Sequence, residues 1–77
     1  MKPELFHAVD DGGESAKARS KMIEWGLEER LRIRNVYYPE VLADLKAHGG
    51  SRTPALWDGE KLHEGADAVI AALDKLR

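Results

Sequence analysis

Gly12-Gly13-Glu14-Ser15 is the first stretch whose residue types and spacing could do chemistry. Set just before a helix, Gly12 and Gly13 would offer free backbone N–H groups to an anion, with the helix dipole adding attraction. Asp10, Asp11 and Glu14 crowd the same spot and repel an anion, so an ordinary loop is the competing reading. Ser15 becomes a nucleophile only with a base in hydrogen-bond reach. The sequence supplies none, and its plainer role is a helix-start residue or cap. His7, His48 and His63 lie far apart, with no second ligand at helical or strand spacing. Metal sites gather their ligands more tightly, so no metal is expected. His7 reads instead as a half-buried, hydrogen-bonded strand residue, and His48 as the end of a helix.

The other candidates are contact residues. Trp25 and Trp57 could line a cleft, but a helix face and a strand position make core packing the first reading. Tyr37-Tyr38 beside Pro39 is either an exposed aromatic contact surface or a packed loop, with nothing in the sequence to separate the two. Arg30, Arg32 and Arg34 alternate along a polar strand. They are expected to be solvated charges that keep an edge from pairing with another chain.

Composition narrows the classes further. The absence of cysteine excludes disulfides, thiolate metal sites, iron–sulfur clusters and thiol redox chemistry. A net charge of -2 without a basic cluster argues against a nucleic-acid binder. No apolar run is long enough to span a bilayer and no secretory h-region opens the chain, so cytoplasm is the default compartment. With 77 residues, 43% hydrophobic and 34% charged, residues 1–77 read as one small globular domain.

The elements that must position these residues follow from periodicity. Leu5, Phe6, Ala8 and Val9 suggest a central strand between Pro3 and Val9 with both faces covered. Ala18, Met22 and Trp25, widened by Ile23, mark a helix from Ser15 that Gly26 stops. Leu31 to Tyr37 reads as an edge strand. A second helix opens at Pro39, carries Val41, Leu42 and Leu45, and closes at His48-Gly49-Gly50. Ala55-Leu56-Trp57 and Lys61-Leu62-His63 flank Asp58-Gly59-Glu60 as a hairpin. Val69, Ile70, Leu73 and Leu76 mark a last helix from Ala66. The order β-α-β-α-β-β-α predicts an α/β fold: a four-stranded mixed sheet flanked by three helices. Its first two strands should be parallel through a right-handed crossover.

That order, together with Ser51-Arg52-Thr53-Pro54-Ala55-Leu56-Trp57-Asp58-Gly59 before the last helix, resembles a glutaredoxin over essentially the whole chain. It looks equally like the thioredoxin-fold N-terminal domain of glutathione transferases. The resemblance implies that Thr53-Pro54 is the family's cis-proline dipeptide, although only ~5–6% of X-Pro bonds in folded proteins are cis. Gly65-Ala66-Asp67 falls where glutaredoxins hold the γ-glutamyl carboxylate of glutathione. With Ala18, Met22 and Gly26 as register, the family's Cys-x-x-Cys falls on Gly12-Gly13-Glu14-Ser15, where both cysteines are absent.

The resemblance therefore implies a thioredoxin-like fold stripped of redox chemistry. Its expected role is a binding module acting on a protein or peptide through the cleft beside Thr53-Pro54, by strand addition. The alternative is a binder of a glutathione-like small molecule, using Arg52, Thr53 and the Gly65-Ala66-Asp67 turn. A transferase-type enzyme is the weakest reading. Gly12 lacks an activating hydroxyl, Ala66 lacks another, and no helical domain follows for a second substrate. The expected site is thus Gly12, Gly13, Ser15, Arg52, Thr53, Pro54, Gly65, Ala66 and Asp67, with no catalytic residue and no cofactor beyond glutathione as a ligand.

Overall fold

A computed structural model describes residues 2–77. β1 (Glu4–His7), α1 (Glu14–Glu24), β2 (Arg32–Asn35), α2 (Pro39–Ala47), β3 (Ala55–Trp57), β4 (Leu62–Glu64) and α3 (Ala66–Asp74) follow in that order, with a single 3-10 turn at Glu28–Arg30. The sheet is mixed and its strand order is β2-β1-β3-β4. β1 runs parallel to β2, with Leu5 opposite Ile33, and antiparallel to β3, with Leu5 opposite Leu56. β3 and β4 close as an antiparallel hairpin in which Leu56 faces His63.

Alternation along the strands explains the layers, because successive side chains point to opposite faces. Leu5 and Leu56 join Ala18, Met22, Leu27, Leu31, Val69 and Leu73 on the α1 and α3 side. Phe6 and Ala55 join Val41 and Leu45 beneath α2. Leu5 and Phe6 are both fully buried, each stabilising the fold by ~1.5–3 kcal/mol. A β-carbon on Gly50 would meet Leu45 and stand 2.8 Å from Leu62 Cδ2. A side chain there would force Leu45 and Leu62 to shift, so glycine lets the chain leaving α2 press against β4.

Several expectations are corrected at element ends. β1 stops at His7, so Val9 lies beyond the sheet and is exposed rather than in the core. Ile23 and Leu42 do not widen their helices' buried stripes, because both side chains face water. β2 covers only Arg32–Asn35, which leaves Tyr37 and Tyr38 in the turn before α2. Both rings are exposed and meet edge to face with centroids 5.6 Å apart. Of their two readings, the exposed surface is the one found.

The arginine row is also corrected. Arg34 is half-buried, bonds Glu4 on β1 and Asp44 on α2, and so clamps the edge strand to both neighbours. Arg30 belongs to the 3-10 turn and donates to the Leu76 carbonyl at 2.7 Å. Only Arg32 keeps the expected place as an exposed strand charge.

Both tryptophans pack, as their positions predicted. Trp25 lies against the larger core with the Arg77 guanidinium 4.2 Å from its ring centroid. Trp57 stacks on His48 at 4.1 Å.

Candidate functional site

β1 and β2 point their carboxyl ends the same way, β3 starts at that end, and β4 finishes there. The loop after β1, the Thr53-Pro54 turn and the start of α3 therefore meet at one end of the sheet. The peptide bond between Thr53 and Pro54 is cis.

Asp11 is the hinge of the first half of this end. Its Oδ1 accepts the Ser15 N–H at 3.1 Å, and its Oδ2 accepts the Ser15 hydroxyl and, at 2.8 Å, the Thr53 hydroxyl. Ser15 Oγ in turn accepts the Ala8 N–H at 3.0 Å. Burial works to raise the Asp11 pKa, but the bonds from Ser15 and Thr53 outweigh it and hold the carboxyl below its ordinary value. The loop after β1 thus carries its own anion into the positive end of α1.

Ser15 takes its expected place in the first turn of α1, where it is completely buried and its hydroxyl bonds Asp11 and Ala8. Gly12 and Gly13 form an exposed left-handed turn, with φ of 75° and 83°, that lets Asp11 fold back over the helix start. Asp11, one of the carboxylates expected to repel an anion, sits at the start of α1 through the Ser15 N–H.

His7 behaves as a half-buried, hydrogen-bonded histidine. Arg19 Nη1 lies 3.0 Å from His7 Nδ1 and donates to the Ala8 carbonyl at 3.0 Å. Arginine has no acceptor, so Nδ1 must supply the lone pair and Nε2 carries the proton. Burial first, and then the Arg19 charge, lower the His7 pKa, with Asp11 pulling the other way.

The second half of the end is built differently. Gly65 N–H donates to the Pro54 carbonyl at 2.9 Å, which ties the start of α3 to the proline turn. Gly65 sits at φ 93° and ψ 154°, a conformation essentially reserved for glycine. A β-carbon there would stand 3.3 Å from Arg52 Nη2, so the guanidinium lies directly against the helix start. No side chain caps α3. Arg52, Gly65, Ala66 and Asp67, with Glu14 and Glu64, line a cavity of about 270 Å3. Beside it, among the described residues, the backbone N–H and C=O of Thr53 take no hydrogen bond.

Arg52, Gly65, Ala66 and Asp67 are therefore brought together, and Pro54 is tied to them through the Gly65 N–H. Gly12, Gly13 and Ser15 belong to the Asp11 joint instead. Sequence reasoning missed Glu14 and Glu64 as lining residues, and Asp11 as the residue that organises the loop. The available signal was an acid ahead of a helix start, where a carboxylate is favoured. Comparison with known protein families, with characterised proteins and with solved structures finds no match for this chain.

Proposed function

We propose that this chain is a thioredoxin-like domain of the glutaredoxin type that lacks thiol chemistry and works as a binding module. Its site is the cleft beside Thr53-Pro54, and its ligand is an extended segment of a protein or peptide. The observation that carries this reading is the main chain of Thr53, unpaired among the described residues and next in sequence to Arg52, which lines the cavity. An extended ligand would pair with that N–H and C=O as an added strand does, while Arg52 takes a carboxylate.

A second reading rests on the charges in the cavity. One guanidinium faces the carboxylates of Glu14, Glu64 and Asp67. That pattern complements a small molecule bearing both a carboxylate and an ammonium group, as glutathione does.

The test is to select peptides from a displayed library on the wild-type domain. The winners and glutathione are then titrated separately into 15N-labelled protein. Selected peptides should shift the Thr53 and Arg52 amides saturably and bind about tenfold more weakly to Arg52→Ala, as loss of a charge-assisted bond predicts. Saturable glutathione shifts at the same amides would favour the second reading. Shifts confined to other parts of the molecule would refute both.

A further inference from the structure

A larger cavity, of about 320 Å3, lies at the opposite end of β4 and α3 from Arg52 and does not depend on the reading given to the Thr53-Pro54 cleft. Its apolar lining is Leu56, Ala72 and Leu76. Leu56 reaches it from β3, while Ala72 and Leu76 come from α3 and the residues after it. Lys61 lines it from the hairpin and Lys75 from the end of α3, so two lysines contribute to different walls. Among the described residues neither has a carboxylate within ion-pair distance.

The carboxylate that could have neutralised them is already committed. Asp58 Oδ1 accepts the N–H groups of Glu60 and Lys61 at 2.8 and 2.9 Å, and its Oδ2 lies 2.8 Å from His63 Nε2. The bond to His63 first, and then the two turn amides, hold Asp58 well below the usual carboxylate range. Three of its acceptor sites are thus taken by the hairpin rather than by the lysines, and its negative charge stays in the cavity wall. Glu60 lines the same cavity and, with Asp58, balances the two lysines in charge, so more than one negative charge on an occupant is opposed.

We infer that this cavity is a binding site for a small monoanion with an apolar body, a carboxylate of the arylalkanoate class. The apolar part covers Leu56, Ala72 and Leu76, and the carboxylate meets Lys61 and Lys75. A cavity of this size takes on the order of ten non-hydrogen atoms, at ~30 Å3 for each water-sized unit. Phenylpropionate has about that size, and apolar pockets with a few convergent polar groups are the usual form of such sites.

The experiment titrates 15N-labelled protein with 3-phenylpropionate and with its neutral counterpart, 3-phenylpropionamide. The carboxylate should shift the amides of Leu56, His63, Ala72 and Lys75 saturably, and the amide should bind more weakly. Lys75→Gln and Lys61→Gln should each weaken the carboxylate about two- to fivefold, the range for partly exposed ion pairs, and leave the amide unchanged. Both lysines are exposed, and the wild-type comparison of acid with amide stands without them. Equal binding of acid and amide would overturn the assignment. So would lysine variants without effect, or the absence of saturable shifts around the cavity.

Discussion

The starts of α1 and α3 face the same end of the sheet and follow the same kind of residue, a glycine at positive φ. They are closed in opposite ways. At α1 the Asp11 carboxylate folds back, takes the Ser15 N–H and both nearby hydroxyls, and sets a negative charge at the helix start. At α3, among the described residues, no side chain caps the helix, and the Arg52 guanidinium lies beside it with Glu14, Glu64 and Asp67 around the same cavity. A helix start that carries its own anion is a structural joint. One that carries a cation and an open cavity can receive a ligand from outside, its anionic group drawn by the dipole and the guanidinium and its cationic group by the three carboxylates.

The largest way to break this contrast is Asp11→Ala. The substitution strips the acceptor from two hydroxyls and one amide, one hydroxyl being fully buried. We expect a loss of about 3 kcal/mol, combining a lost cap with unsatisfied buried groups. Urea unfolding at an unchanged slope would read it as a lower midpoint. A loss under about 0.5 kcal/mol, the scale of an ordinary surface change, would put α1 in the same open class as α3.

Next in size are the two glycines. Gly65→Ala should cost about 1–3 kcal/mol, because its conformation is essentially glycine-only. The new methyl would also press on Arg52. Gly13→Ala, in the left-handed region with open space around it, should cost about 1–2 kcal/mol. Equal midpoints for the two variants would show that Arg52 does not crowd the start of α3.

The smallest effect is on the acid limb. A carboxyl whose pKa is depressed in the folded state stabilises above the unfolded value and loses that contribution as pH falls through the folded value. The stability gap between wild type and Asp11→Asn should therefore be constant near neutral pH. It should narrow below about pH 4, where an unfolded aspartate begins to take up its proton. Asp58 titrates in the same direction and stays in both proteins. A gap that does not change with pH would mean that the Asp11 charge contributes nothing.

Much of the architecture was legible because it is written in local chemistry. Leu5 and Phe6 side by side announced a strand covered on both faces, and Pro39 and Gly26 marked a helix start and stop. The Asp58-Gly59-Glu60 turn announced the hairpin, although β4 lies one residue later than read, at Leu62–Glu64. The strand order was not legible, since periodicity says which face is buried but not which strand is the neighbour. The Asp11 joint was hidden for the same reason. Asp11 and Thr53 are distant in sequence, and a charge count sees three acids and infers repulsion. Only the folded loop shows one of them turned inward as an acceptor. Arg34 escaped likewise: its partners, Glu4 and Asp44, come from two other elements.

The two sides of the sheet are unequal in a way that bears on motion. Nine of the described residues make the core under α1 and α3, whereas only Phe6, Val41, Leu45 and Ala55 make the one under α2. Local opening free energies follow the apolar contact that must be given up. The α2 layer is thus the part of the domain that detaches most readily, while β2 stays paired with β1 and tied to it by Arg34 and Glu4. The Asp11 joint, the proline turn and the start of α3 are anchored to the larger core. They remain assembled through such an opening, so hydrogen exchange in α2 can rise and fall without changing how the far end of the sheet meets a ligand.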